Sequence, residues 1–275
     1  MIYCFLRFPN FKYKALTLSY DDSVIYNKKL AEILDAYGIK ATFNLNYGVF
    51  GNNERNMTKE EAYDLFKNSP HEVALHGYKH ILMPEYSKEN CIYEITKDRE
   101  GLEGMFSRLI KGMAYAYGEY DDKVIDVLKN CGVNYARTLK STHSFNLPEN
   151  WLTLNPTCHH ADKDLMNLAN EFLSLEKETR IWSRSPKMFY LWGHSYEFND
   201  NNNWDLIEDF CKLVSGKDDI WYATNGEIYD YVNAYNRLEY SMDSSLVYNP
   251  TLIDVYIEFC GKEYVIKSGE TVKLN

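Results

Sequence analysis

Short runs of strand-forming residues alternate with amphipathic stretches from residue 14 to residue 235. The runs are rich in aliphatic, aromatic and β-branched side chains, which favours buried strands. The predicted strands are KALTLSY (14–20), KATFNLN (40–46), HEVALHG (71–77), GMAYAYG (112–118), NYARTL (134–139), WLTLNPT (151–157), KMFYLWGH (187–194) and DIWYATN (219–225).

The stretches between these runs carry helix signals. In VIYNKKLAEILDAYG, apolar residues recur at helical spacing and Gly38 is placed to end the helix; the apolar positions are Leu30, Ile33, Leu34 and Tyr37. Thr58 and Glu61 have the spacing of a capping box at the start of the next helix. Gly132 is the expected stop of a later one.

Repeated strand-helix alternation predicts an α/β fold with a mainly parallel sheet, and seven or eight such units favour a closed or nearly closed barrel. In such barrels the functional residues lie at the C-terminal ends of the strands. After residue 240 the pattern changes to alternating strands with turns at CGKE and KSGE. We therefore expect a catalytic domain at 1–239 and a small β-rich appendage at 240–275.

Composition narrows the class of protein. The chain is 45% hydrophobic and 25% charged, as a globular protein is, and its net charge of −10 argues against nucleic acid as a partner. No apolar run approaches the roughly 20 residues that a membrane span needs. The six cysteines are scattered without metal-site spacing, so reduced thiols and a cytoplasmic location are expected, or an extracellular one if a leader has been removed.

Ionisable residues follow three of the predicted strands. Asp21 and Asp22 end the first, His76 and His80 end the third, and His194 ends a later one. One carboxylate with two imidazoles suits a divalent transition metal and leaves positions open for water and substrate. A second carboxylate can take a proton from that water, and a separate histidine can donate one to a leaving group. The pattern favours metal-assisted hydrolysis.

Each of these signals is weak when taken alone. Adjacent aspartates usually mark a solvated turn or a helix start, a histidine pair four residues apart is common in loops, and a single histidine is often a core residue. Their joint placement at the ends of separate strands favours the metal site.

Four segments resemble the motifs of the polysaccharide deacetylases with the NodB homology domain, also called carbohydrate esterase family 4. They are LSYDDS, HGYKH, AYAYG and LWGH, and the resemblance covers roughly residues 14–235. It implies a distorted (β/α) barrel of about seven strands. It also implies an enzyme that removes N- or O-acetyl groups from an amino sugar or polysaccharide through metal-activated water. The implied cofactor is a divalent ion, zinc first, with cobalt, nickel or manganese as alternatives.

Matched position by position, the resemblance implies a role for each motif residue. It assigns a general base to Asp21, metal ligands to Asp22, His76 and His80, a general acid to His194, an oxyanion-stabilising amide to Tyr117 and an acetyl pocket to Leu191.

Two positions depart from the family pattern. Gly77 replaces a serine or threonine whose hydroxyl, in the family pattern, steadies the loop around the second histidine, so either the site is more mobile or another donor serves there. Ala114 stands where the family has an arginine paired with the catalytic aspartate, and without that charge the pKa of a buried Asp21 would rise. Arg137, at the end of the next strand, is the expected replacement, and a surface arginine is the alternative.

Further residues near these motifs are candidates for the substrate pocket, namely His159, Trp192 and Glu197. Cys158, His159 and His160 in NPTCHHADKD also leave a second metal site open. Two other functions remain open as well. One is hydrolysis of a non-sugar amide on the same fold, and the other is a carbohydrate-binding protein that has lost activity.

Overall fold

A computed structural model describes residues 2–176 and 184–274. Its strands are β1 (Cys4–Arg7), β2 (Lys14–Asp21), β3 (Ala41–Leu45), β4 (Glu72–Leu75), β5 (Gly112–Ala114), β6 (Tyr135–Arg137), β7 (Cys158–His159), β8 (Lys187–His194), β9 (Ile220–Tyr222), β10 (Glu239–Tyr240), β11 (Leu246–Tyr248), β12 (Val255–Phe259), β13 (Lys262–Ile266) and β14 (Thr271–Lys273). Its helices are α1 (Asn27–Ala36), α2 (Lys59–Phe66), α3 (Lys88–Phe106), α4 (Asp122–Asn130), α5 (Leu165–Ser174), α6 (Ser195–Asp200), α7 (Trp204–Val214) and α8 (Asn225–Asn236).

The main sheet is parallel and curls towards closure. Its strand order is β6-β5-β4-β3-β2-β8-β7, and β9 pairs with the first residues of β2. A parallel bridge joins Arg137 to Leu154, a few residues before β7 pairs with β8, so the chain between β6 and β8 closes the gap. The predicted distorted barrel of about seven strands is confirmed.

The two faces of the sheet have different chemistry because side chains alternate along each strand. On β2, Leu16 and Leu18 point outwards into the core formed with the helices. Thr17, Ser19 and Asp21 lie on the opposite, inner face and are also buried. Buried polar groups need hydrogen-bond partners, and the inner face supplies them across the barrel. The barrel interior is therefore a polar network that leads up to Asp21.

The predicted helix boundaries are confirmed. Gly38 and Gly132 follow α1 and α4 with φ angles of +64° and +72°, a region that glycine enters without steric cost. Thr58 and Glu61 form the expected reciprocal capping box at the start of α2. Within the described residues, no helix is both long and apolar enough to cross a membrane.

The predicted strand at 151–157 is wrong. Trp151–Thr153 form a 3-10 turn, in which the Asn150 side chain accepts a hydrogen bond from the Leu152 amide, and the strand begins only at Cys158. Pro156 explains the delay, since a proline has no amide proton to donate to a neighbouring strand. Between residues 151 and 157, all of them described, Leu154 alone forms a β-bridge to the main sheet, so the apolar alternation does not extend into a strand.

The C-terminal residues form two small antiparallel sheets, of order β1-β12-β13 and β10-β11-β14. The predicted turn at CGKE is the β12–β13 hairpin, with positive φ at Cys260 and Gly261. The N-terminal strand β1 was not predicted, and it pairs with β12 rather than with the barrel. The boundary at 239/240 stays a prediction, and residues 4–7 belong structurally with the appendage.

A buried ion pair ties β1 to β12. The Arg7 Nη2 and Glu258 Oε2 atoms are 2.9 Å apart, and both side chains are almost fully buried. We expect Arg7→Met to lower the free energy of unfolding by about 1–3 kcal/mol, because it removes one partner of the buried Glu258 carboxylate, which keeps its contact with Arg184 Nη1 at 2.8 Å. Urea unfolding measures the change. Arg55→Met, which breaks an exposed pair with Asp200, is the control and should leave the midpoint nearly unchanged.

Candidate metal and catalytic site

The sheet brings the motif residues to one rim of the barrel. Asp21 is the last residue of β2 and lies beside His194, the last residue of β8, as its partner in the parallel register. Asp22 follows directly, and His76 follows the end of β4. Parallel strands end at the same edge of a sheet, so residues distant in sequence meet there.

Asp22, His76 and His80 face one point. The two histidine Nε2 atoms are 3.1 Å apart, and each lies 3.8 Å from Asp22 Oδ1. The His76 Nδ1 atom lies 2.9 Å from the carbonyl oxygen of Ala114, so Nδ1 carries the proton and Nε2 keeps its lone pair. Imidazole lone pairs directed at a carboxylate fit a divalent cation, which these three residues are suited to hold.

Three residues at the same place have strained backbone. Asp22, His80 and Tyr117 have φ angles of +74°, +58° and +59°, in the left-handed region that non-glycine residues seldom adopt. Such strain persists where the surrounding structure holds it, and it is frequent at functional sites. The Tyr117 ring packs edge-on against the His80 ring, with 4.6 Å between their centroids. Residue 117 thus lies beside the cation cluster.

The Asp21 carboxylate is buried and held from both sides. Asn44 Nδ2 donates to its Oδ1 atom at 2.8 Å, and Arg137 Nη2 donates to its Oδ2 atom. Burial opposes ionisation of Asp21, but the positive charge of Arg137 and its hydrogen bond, with smaller contributions from the neighbouring His76 and His194, outweigh this effect, so the pKa of Asp21 is lowered. An ionised carboxylate at this position can accept a proton.

The register of β5 and β6 explains how Arg137 reaches this carboxylate. Ala114 and Arg137 are partners in the parallel pair, so they share a face of the sheet. The methyl group of Ala114 leaves space on the inner face. The Arg137 guanidinium is fully buried and packs 4.3 Å from the centre of the Trp192 ring. The contact with Asp21 therefore comes from the strand next to the one that the family pattern uses.

Helix α3 supplies the groups that steady the loop between the two histidines. Glu94 Oε1 accepts hydrogen bonds from the amides of Lys79 and Ile81, and Asp98 Oδ2 accepts one from the amide of His76. Sequence reasoning missed both acids. Their signal was present, since they lie on the buried face of a helix together with Cys91, Ile95 and Leu102. Acids on an apolar face require partners.

Substitution of these acids should weaken cation binding without touching the ligands. We expect Glu94→Gln to raise the dissociation constant for Zn²⁺ by roughly 10- to 100-fold, as is usual when a group that orients the ligands is lost. Competition with a chelator measures the constant. Glu100→Gln, on an exposed face of the same helix, is the matched control. An unchanged constant in Glu94→Gln would show that the loop holds its shape without this carboxylate.

The remaining pocket candidates divide into two groups. The first group surrounds His194 and consists of His159, Trp192 and Glu197. The ring centroids of His159 and Trp192 are 4.5 Å apart, and Glu197 Oε2 lies 3.5 Å from His194 Nδ1. Leu191 does not join them. It is fully buried in the outer core with its strand neighbours, because alternate residues of β8 face opposite sides. The structure therefore gives no support to an acetyl pocket at Leu191, and Trp192 holds the corresponding place on the inner face.

His159, His194 and Glu197 form a second cluster of possible ligand atoms. The hydrogen bonds of His159 argue against a cation there. Its Nδ1 atom accepts a hydrogen bond from the Ala161 amide at 3.1 Å, so in the neutral ring the proton is on Nε2, the atom that faces Glu197. This is the reverse of His76. The second cluster is a carboxylate surrounded by proton donors.

One segment of the chain matches a known family. Residues 9–136, just under half of the chain, match the model of the polysaccharide deacetylase family. This segment is similar to that family. The matched segment contains β2 with the adjacent Asp21 and Asp22, both histidines of HGYKH, and Tyr117. No curated protein matches the sequence.

Solved structures show the same fold at low identity. A candidate polysaccharide deacetylase from Mycobacterium smegmatis is 16% identical, with a TM-score of 0.61 over 84% of this chain and 94% of that one. A family 4 carbohydrate esterase from Streptomyces lividans, in complex with acetate, is 15% identical, with a TM-score of 0.50 over 75% and 90%.

Proposed function

We propose that the protein is a metal-dependent deacetylase that removes N-acetyl or O-acetyl groups from an amino sugar or glycan. One observation carries the proposal. The buried Asp21 carboxylate lies between His194 and the cluster of Asp22, His76 and His80 at one rim of the barrel. Its Oδ2 atom is 3.8 Å from His76 Nε2 and 4.0 Å from His194 Nε2. The match of residues 9–136 to the polysaccharide deacetylase family supports the reaction class.

The proposed chemistry divides the work between acid and base. Asp22, His76 and His80 would hold a divalent cation, whose Lewis acidity would favour attack on an acetyl carbonyl by water. Asp21 accepts the proton from the attacking water, and Arg137 keeps this carboxylate ionised. The amide of Tyr117 stabilises the oxyanion. His194 donates a proton to the leaving nitrogen or oxygen as its bond to the acetyl carbon breaks.

The surface beside the cluster suits a sugar. A cleft of about 360 Å³ adjoins His80 and is lined in part by Leu82, Tyr86 and Tyr117. Both tyrosine rings are well exposed, 44% and 57% respectively. Exposed aromatic faces next to a hydrolytic centre offer apolar surface on which pyranose rings can stack. This cleft favours a glycan over a small non-sugar amide.

Acetate release tests the proposal and separates it from its rivals. The purified protein, loaded with Zn²⁺, is incubated with N-acetylglucosamine oligomers, acetylated xylan and a set of simple amides. Chelator-sensitive release of acetate from a glycan supports the proposal. Turnover of the amides alone would assign the same site to another substrate. Tight binding of a glycan with no release would favour the carbohydrate-binding alternative.

A further inference from the structure

Glu197 occupies an unusual position beside His194. It is the third residue of α6, and its Oε2 atom lies 3.1 Å from His159 Nε2, 2.9 Å from His160 Nε2 and 3.5 Å from His194 Nδ1. The same oxygen accepts a hydrogen bond from the His194 amide at 3.2 Å. Helix capping needs only the last of these contacts. Three imidazoles around one carboxylate oxygen require a different explanation.

The surroundings keep Glu197 negatively charged. Burial opposes its ionisation, but the close contacts of its Oε2 atom with the rings of His159, His160 and His194 outweigh this effect and hold the pKa of Glu197 well below its usual range. Burial lowers the pKa of His160 to about 4, so this ring is neutral near pH 7 and donates through Nε2. The carboxylate is thus fixed in place as an anion.

The absence of a side chain at Gly193 leaves space for the His160 ring. A Cβ atom at this position would lie 2.1 Å from the His160 ring, so only glycine allows His160 to pack against β8. His160 also lies against the rings of Tyr20 and Phe198. These contacts fix the ring that in turn fixes Glu197.

His194 has one nitrogen for each of two tasks. Its Nδ1 atom is buried, has no hydrogen bond within the described part of the chain, and faces the Glu197 carboxylate. Its Nε2 atom faces Asp21 at 4.0 Å, on the side of the cation cluster. A carboxylate behind one ring nitrogen fixes the orientation of the ring and stabilises the imidazolium.

We propose that Glu197 is a positioning residue, which holds His194 through Nδ1 so that Nε2 delivers a proton to the leaving group. The inference rests on the proposed function. In this step the N–H bond of Nε2 breaks and a bond forms between that proton and the leaving nitrogen or oxygen. The electron pair of the breaking bond to the acetyl carbon stays on the leaving atom. His194 becomes neutral, and Glu197 remains unprotonated.

The dependence of kcat on the leaving group distinguishes a positioning role of Glu197 from a merely structural one. A 4-nitrophenolate leaves without protonation, whereas an alkoxide or an amine needs a proton as its bond breaks. A series of aryl and alkyl acetates and N-acetyl amines is therefore compared in the wild type and in Glu197→Gln, which keeps an oxygen for the capping bond. Asp200→Asn removes an exposed acid from the same helix and is the matched control.

We expect Glu197→Gln to lower kcat for alkyl acetates and N-acetyl amines on the order of 100-fold, and for 4-nitrophenyl acetate by less than about threefold. The plot of log kcat against leaving-group pKa should become steeper, while the Zn²⁺ content and the Asp200→Asn slope stay as in the wild type. An equal loss for all leaving groups, or a second Zn²⁺ lost on substitution of Glu197, would overturn the inference. A wild type that hydrolyses no acetyl compound would instead refute the proposed function, and this inference with it.

Discussion

Asp22→Ala and His76→Ala are each expected to lose bound Zn²⁺ and to reduce kcat/KM for acetate release by roughly 1,000-fold or more. The cation contributes several kcal/mol to the transition state, and each 1.36 kcal/mol corresponds to a factor of ten. Each substitution removes one of the three ligands that face the cation position. Elemental analysis of the purified variants and an acetate assay measure the two effects together.

The control for these variants is a histidine that takes no part in the site. His143 is 44% exposed at its side chain and pairs with Asp162 at 2.7 Å, so His143→Ala removes an imidazole without disturbing the cluster. It should retain both Zn²⁺ and activity. Stoichiometric Zn²⁺ in Asp22→Ala, or full activity after complete removal of the ion by a chelator, would contradict the assignment of the ligands.

Sequence patterns predicted those parts of the fold that depend on local chemistry. The capping box at Thr58, the glycine at 38 and the alternation of β2 each express a constraint within one segment, and each is present in the structure. The strand at 151–157 failed because pairing depends on a neighbour that a segment does not contain. The N-terminal strand β1 was not predicted for the same reason, since its partner β12 lies about 250 residues later in the chain.

The site shows the same division. The residues at strand ends could be found in sequence, because the ends of parallel strands meet at one rim. Glu94 and Asp98 could have been found as acids on an apolar helix face. The cluster around Glu197 could not be read in advance, because only the fold shows which nitrogen of each histidine faces the carboxylate. The place of Leu191 required knowledge of which face of β8 is the inner one.

Arg137→Met is expected to reduce activity near neutral pH on the order of 100-fold, since it deprives the proposed base of its main counter-charge. The effect should depend on pH. In the wild type the charge and hydrogen bond of Arg137, more than any other neighbour, overcome the burial of Asp21 and lower its pKa. Without Arg137 burial is less opposed, so this pKa rises and the acid limb of the activity profile moves to higher pH. Profiles of kcat/KM against pH test the shift.

A paired substitution separates this role from a general loss of stability. If Arg137 acts through Asp21, Arg137→Met should cause little further loss in an Asp21→Asn background, because the charge that it stabilises is already absent. Lys140→Met removes an exposed cation three residues away and should leave the profile in place. Equal losses in both backgrounds, with an unmoved acid limb, would show that Arg137 only packs against Trp192. A shifted acid limb with coupled losses would mean that Arg137 keeps Asp21 ionised from strand β6. It would then take the role that the family pattern gives to an arginine at the position of Ala114, on strand β5.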